Sequence, residues 1–278
     1  MALANINKFK LFMGLARNYS SAPLVNVQVS NKTGISVLTL ERPPVNSLNL
    51  ELLSELKQSL IDLEKNRSRG VILTSAFKTF SSGLDIKEMY KPDLHRCKQF
   101  WTTLQDVWIS LYGSSFPTVA VINGAAPAGG CLLSMCCEYR VMVPNSIIGL
   151  NETQLGIVAP QWFADTMCNI IGSRKTELAL TEGKLFTTDE ALNVGLIDEI
   201  VQTKEEGLEK ANGFVGKFAR ISPTARSLSK KIVRGETLKK MVQTRDADLE
   251  LFIRTISQES VQKYLGMYFE ALKKKQTS

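Results

Sequence analysis

From about residue 24 the chain alternates between short β-rich runs and longer stretches with helical spacing, and that alternation restricts it to an α/β architecture. Val25, Val27 and Val29 alternate with polar residues, as a half-buried strand does, and 35–40 reads as its partner across turn residues 31–34. Arg42-Pro43-Pro44 breaks the chain, after which six aliphatic residues at helical spacing predict a helix over 49–65. Gly70 opens a strand at 71–74. A helix over 93–112 carries Phe100, Trp101, Leu104, Val107, Trp108 and Leu111 along one stripe. Beyond Pro117 follow an apolar strand at 118–122, a glycine-rich turn, a short apolar helix at 129–137, and strands at 139–143 and 147–149. Successive strand–strand–helix units predict a stacked spiral core over 21–204. From 205 to 278 the pattern is helical, with Ser222-Pro223 as a start signal. Its last part, 244–275, is too apolar for a free tail and is expected to pack across the core or a neighbouring subunit.

Composition removes whole classes of function. With 278 residues, 44% apolar and 22% charged, the chain can bury a sizeable core, and it is neither disordered nor a coiled-coil rod. No uncharged apolar run approaches the roughly 18 residues of a membrane-spanning helix, so no span is expected. His95 is the single histidine, in the polar stretch 91–96, which excludes multi-histidine metal sites and reads as a surface position. Five cysteines without a Cys-x-x-Cys pair suggest buried thiols in a reducing compartment, and no metal is expected.

The net charge of +7 is unevenly spread. Residues 1–20 combine Lys8, Lys10 and Arg17 with bulky apolar residues and serines and contain no acid, the composition of a mitochondrial transit peptide. Without them the charge is +4, too mild for a nucleic-acid binder, although a polyanionic small molecule would suit it.

Two glycine-bearing loops carry the chemical signal. One, 80–86, follows the strand at 71–74; the other, 123–131, follows 118–122. Both are strand-to-helix turns with small side chains, so backbone N–H groups can approach a ligand. Side by side they could offer two donors to one oxygen, an oxyanion hole, with the helix from Gly129 aiming its positive end at the same place. Neither matches a P-loop or dinucleotide fingerprint.

The strings Ser81-Ser82-Gly83-Leu84-Asp85-Ile86-Lys87-Glu88-Met89 and Ala128-Gly129-Gly130-Cys131 resemble the two oxyanion-hole motifs of the crotonase (enoyl-CoA hydratase/isomerase) superfamily, and 42–48 is similar to that family's early loop beside the coenzyme A nucleotide. The resemblance runs from about residue 24 to the end. It implies a crotonase-like α/β spiral and a site in which the amides of Leu84 and Gly129 hold a thioester oxygen, with Ser82, Gly83, Asp85 and Ile86 beside the substrate. Hydratases of the superfamily use two glutamates. Here the first position is Leu132 and the second is Glu152, so one carboxylate remains.

A single glutamate suits migration of a double bond better than addition of water: it can remove a C2 proton and return it at C4. The string at 148–157 and the one at 244–248 likewise resemble the mitochondrial isomerases of the superfamily. The expectation is therefore conversion of 3-enoyl-CoA, cis or trans, to trans-2-enoyl-CoA in the β-oxidation of unsaturated fatty acids, in the mitochondrial matrix. Glu152 is the expected base, and no cofactor is expected beyond the coenzyme A of the substrate. Asn151 either lines the thioester pocket or caps the turn. Relatives that place the glutamate later have no counterpart in Gln161-Trp162-Phe163. The resemblance also implies a homotrimer, or a dimer of trimers, whose carboxy-terminal helices close the acyl pocket. The rival readings are a hydratase with a relocated base, for which Asp85 is the one candidate, and a non-catalytic RNA-binding protein of the same fold.

Overall fold

The computed structural model describes residues 22–277, with side chains through residue 274. The expected transit peptide at 1–20 lies outside the described residues. The chain opens with β1 (Val25–Val29) antiparallel to β2 (Ile35–Leu40). α1 (Leu50–Lys65) starts at Asn49, whose side chain accepts the Leu52 N–H, and buries five leucines. β3 (Gly70–Ser75) lies parallel to β2 and is buried along its length. α2 (Leu94–Tyr112) is capped by Asp93 and carries His95, exposed, in its first turn. β4 (Thr118–Ile122) and β5 (Ala126–Pro127) lead into α3 (Gly129–Cys136). β6 (Tyr139–Met142), β7 (Ile147–Gly149), α4 (Gln161–Ile171), α5 (Ser173–Glu182), β8 (Phe186–Thr187), α6 (Thr188–Val194) and β9 (Glu199–Ile200) follow. Three helices end the chain: α7 (Lys204–Gly216), α8 (Pro223–Ile256) and α9 (Glu259–Thr277).

The strands form two sheets, one in the order β1-β2-β3-β4-β6-β9 and one in the order β5-β7-β8. Two successive turns of the spiral give a strand to the first sheet and then a short one to the second before a helix: β4-β5-α3, then β6-β7 and α4. From β2 onward the first sheet is parallel, so both faces need cover and the strands read as continuous apolar runs. One face is covered by α7, whose Ala211 and Val215 pack with Ile72, Val119, Val121 and Val141. None of the helices among the described residues is long and apolar enough to cross a membrane.

One expectation changes. β1 forms where its alternation predicts, but only Val25 is buried; Val27 and Val29 are exposed because β1 is the edge strand and its apolar face runs past the core. The apolar segment 244–275 packs on the core, one of the two outcomes expected for it. It comprises the end of α8 and most of α9, with a break at Ser257-Gln258 that lets Val261 and Leu265 turn into the core. Of the five cysteines, all unpaired, Cys168 is half-buried and the others are buried.

One carboxylate on α8 gathers three donors from the core. Asp248 accepts the indole N–H of Trp101 at 2.7 Å, that of Trp162 at 3.2 Å, and the Gln105 amide at 2.8 Å, while Phe252, one turn on, stacks on Trp101. Both indoles are buried, so removing their common acceptor strands two donors, each worth about 1–3 kcal/mol. Asp248→Ala is expected to lower the unfolding free energy by about 2–4 kcal/mol in urea titrations, with Asp248→Asn between it and wild type. A loss for Asp248→Ala below about 0.5 kcal/mol would remove the carboxylate from this role.

Candidate active site

Two turns from different parts of the chain meet at the start of α3. The turn at 80–86 is oriented by a short parallel bridge to residue 48: Leu48 N–H donates to Gly83 C=O at 2.8 Å, and Asp85 N–H to Leu48 C=O at 2.9 Å. A trans peptide points its C=O and N–H in opposite directions. With Gly83 C=O tied to Leu48, the Leu84 N–H faces away from that strand, and it has no acceptor among the described residues. At the second turn Ala128 C=O accepts the Leu132 N–H at 3.0 Å, and Ala128 N–H donates to Gly149 C=O at 2.7 Å. The Gly129 N–H therefore points out of the helix start, one of the amides that such a start leaves without a partner, and no side chain caps it.

These two donors lie side by side. A methyl group on Gly129 would come 3.4 Å from the Leu84 nitrogen and 2.9 Å from Leu48 Cδ1. Gly83 has φ +88°, and a methyl there would lie 2.9 Å from the Ala128 Cβ and 3.3 Å from the Gly129 nitrogen. Only glycine meets both conditions. Ala128 itself sits at φ +48°, a strained conformation for a residue with a side chain that costs on the order of 1–3 kcal/mol and is held by bonds at both its N–H and its C=O.

β7 brings Glu152 to this place. It pairs with β5 in the register Pro127↔Gly149, three residues before Glu152, which opens a 3₁₀ turn, Glu152–Leu155. Thr153 Oγ1 ties that turn to Leu180 C=O at 2.6 Å, and a methyl on Gly156 would lie 2.8 Å from the Tyr264 ring, so α9 closes directly over it. Glu152 is 4% exposed, and neither carboxylate oxygen has a hydrogen-bond partner among the described residues. Burial pushes its carboxyl up to about 7; its own backbone N–H opposes part of that shift without meeting the geometry of a hydrogen bond. The Cys131 thiol is pushed up by burial and then by the charge of Glu152, which puts both in one low-dielectric environment and keeps the thiol protonated. Leu132 is fully buried in α3.

Other expected residues take clear places. Ser82 Oγ pairs with Ser47 Oγ at 2.8 Å, and Ile86 is buried at the start of the 3₁₀ turn Ile86–Glu88. Asp85 is engaged by Arg42 Nη2 at 2.8 Å and by the Lys87 N–H at 3.1 Å, so it is not available as a relocated base. Asn151 makes no capping bond, and its Oδ1 is buried without a partner. A cleft of about 550 Å³ lies between Tyr90 and α9, lined by Gln262, Gly266 and Met267, and does not include Glu152. Among the described residues there is no cluster of three or more metal-ligating side chains. Asn46 and Ser81 lie in the two strings that carry the resemblance, but that they hold the first turn is not visible in the sequence.

The arrangement is two amide donors converging on one point beside a buried carboxyl that exchanges its proton near neutrality. It suits proton transfer next to a carbonyl whose oxygen becomes negative.

Residues 30–277 match the family model described as enoyl-CoA hydratase/isomerase. The chain is 45% identical to the Mus musculus "Enoyl-CoA delta isomerase 1, mitochondrial" over 94% of its length and 91% of the mouse protein. It is 44% identical to the Homo sapiens protein of that name over 93% of its length and 86% of the human one. Its fold is similar to the crystal structure of human mitochondrial delta3-delta2-enoyl-CoA isomerase, with a TM-score of 0.88 and 44% identity over 91% of this chain and 99% of the other. An enoyl-CoA hydratase from Bacillus halodurans gives a TM-score of 0.80 and 26% identity over 88% of this chain and 99% of that one.

The raised carboxyl has a measurable consequence. Folded Glu152 keeps its proton up to about pH 7, whereas an unfolded glutamate releases it near 4.5. The stability it contributes is therefore complete below pH 4.5 and lost as pH rises to 7. Urea unfolding of wild type and Glu152→Gln is expected to show wild type losing about 3 kcal/mol relative to the variant over that range, with parallel curves above pH 8. Identical pH slopes would mean that Glu152 titrates like a surface carboxylate.

Proposed function

This chain belongs to the enoyl-CoA hydratase/isomerase family, and we propose that it converts 3-enoyl-CoA, cis or trans, to trans-2-enoyl-CoA. The observation that carries this reading is the lone carboxyl of Glu152, buried, without a partner and raised to about 7, beside two amides that have no acceptor. The thioester oxygen accepts from the Leu84 and Gly129 N–H groups. The ionised Glu152 removes a proton from C2, and the electron pair of that bond spreads as a dienolate from C4 to the oxygen. The protonated carboxyl then delivers the proton to C4: the pair of the old C3–C4 double bond forms the new C4–H bond, the pair released from C2–H closes C2–C3, and the oxygen's pair restores the carbonyl. Atoms and charge balance without a metal, an oxidant or a cofactor; coenzyme A enters only as part of the substrate. A carboxyl near 7 suits both halves of this shuttle, because base and conjugate acid are both accessible near neutral pH.

In this reading Ser82, Gly83, Asp85 and Ile86 form the wall that presents the first amide, and Asn151 adds a polar atom to the thioester pocket. Leu132 disfavours hydration, which needs a second carboxylate to orient water. The same reading takes the chain as a homotrimer. α8 exposes Ile232 and Val233 at 82% and 81%, with Leu228, Val242 and Leu251 also over half exposed, and other copies would cover these side chains. It also places the protein in the mitochondrial matrix, supported by the mitochondrial names of its relatives and by the basic, acid-free composition of 1–20.

Incubation with trans-3-hexenoyl-CoA is expected to raise ultraviolet absorbance as the double bond conjugates, without addition of water to trans-2-enoyl-CoA. Glu152→Gln is expected to lower the rate by about 10²–10⁴-fold. In wild type, kcat/KM is expected to rise with pH through about 7 as the base ionises. A variant that keeps more than about a tenth of the rate would remove Glu152 as the proton carrier.

A further inference from the structure

We propose that Asn46 is a positioning residue that sets the direction of the Leu84 amide, and that residues 42–48 serve the reaction through it. This rests on the reading of that amide as an oxyanion donor. Asn46 is fully buried and sits at φ +51°, a conformation that asparagine tolerates better than most residues. Every polar group it has is engaged. Its N–H donates to Arg42 C=O at 2.8 Å, and its Oδ1 accepts the Arg42 N–H at 2.8 Å. Its Nδ2 donates to Ser75 Oγ at 2.7 Å, at the end of β3, and to Phe80 C=O at 3.0 Å, at the start of the oxyanion turn. Its C=O accepts Ser81 Oγ at 2.7 Å, and that hydroxyl accepts the Gly83 N–H at 3.2 Å.

The turn is thus held at the peptide before the donor and at the peptide that carries it. The Gly83 N–H is fixed through Ser81 to the Asn46 carbonyl. The Gly83 C=O is fixed by the Leu48 N–H, two residues after Asn46 on the same loop. Because Gly83 C=O and Leu84 N–H belong to one planar unit, a slip of the loop rotates the donor by the same angle. Arg42 adds a second strut, with Nη1 on Ser47 C=O and Nη2 on Asp85, each at 2.8 Å, so the turn is clasped on either side of Leu84. The loop thus holds the carbonyl of the peptide that carries the donor and, through Ser81, the amide of the peptide before it.

The test uses Asn46→Gly, which keeps the backbone conformation and removes the side chain, and Ser81→Ala, which cuts the relay without touching Asn46. Two readouts separate positioning from folding: steady-state kinetics against pH, and the thioester carbonyl stretch of bound 13C-labelled trans-2-hexenoyl-CoA in difference infrared spectra. Wild type is expected to shift the carbonyl to lower frequency on binding. Both variants are expected to shrink that shift and to lower kcat by about 10–100-fold, with KM within about threefold. The pH midpoint set by Glu152 should stay in place. If Asn46→Gly fails to fold, Ser81→Ala carries the same comparison. Folded variants with the full carbonyl shift, or with kcat within about threefold of wild type, would overturn the positioning role and leave the oxyanion reading standing. No carbonyl shift in wild type would overturn the oxyanion reading and this proposal with it.

Discussion

A peptide unit cannot point its carbonyl and its amide the same way, and the site of this protein is built on that constraint. The Gly83 carbonyl is bonded to Leu48, and the Ala128 carbonyl to the first turn of α3, so the amides of Leu84 and Gly129 are left facing one point. Neither is aimed by a side chain of its own. What the rest of the spiral supplies is the means to hold two such peptides in register: β3 and β4 side by side in the parallel sheet, the loop from β2 bridging to the first turn, and β7 pairing with β5 beneath the second. Glycine at 83 and 129 is the consequence, because a Cβ at either position would fall where the other turn already is.

Against that preorganised pair, the behaviour of the buried glutamates is informative. Glu88 is as buried as Glu152, at 5% and 4% exposure, but it accepts the Leu50 N–H and two guanidinium bonds from Arg96. At Glu138 burial pulls the carboxyl upward and Lys230 and Arg226 outweigh it, holding the group below the ordinary range. Those two carboxylates fasten helices. Glu152 has the burial without the partners, an arrangement that a fold selected for stability alone would remove, since a buried charge without compensation is expensive. An unpaired titratable group kept at such expense, next to unpaired donors, is the physical signature of a working site rather than of a scaffold.

Much of this was legible because it is local. The helices α1, α2 and α3 and the strands β2, β3 and β4 fall within a residue or two of where periodicity puts them, and the glycine turns and Glu152 are read from short strings. What escaped was long in sequence or short in extent. Asn46 meets Phe80 across 34 positions, and Trp101 meets Asp248 across 147; neither pairing leaves a trace in composition. Two-residue strands such as β8 and β9 are too brief to show a period. The burial of β1 depends on where the sheet ends, which its own alternation cannot report. The break between α8 and α9 has no proline or glycine to announce it and is decided by the packing of Val261 and Leu265 against the core.

In the proposed reading, the division between isomerisation and hydration narrows to one position on α3. Both chemistries need a thioester oxygen held by two amides, and both pass negative charge to that oxygen. They differ in whether water must be held and activated. Leu132 is fully buried on α3 and adds no ionisable group there. Burial is the larger influence on the Glu152 proton affinity, opposed in part by its own backbone N–H, and in the proposed reaction this one residue gives back the proton it took. In the proposed reaction the missing second carboxylate is therefore not a lost function: an apolar residue at 132 brings no second acid to hold water, and a single buried base completes the transfer.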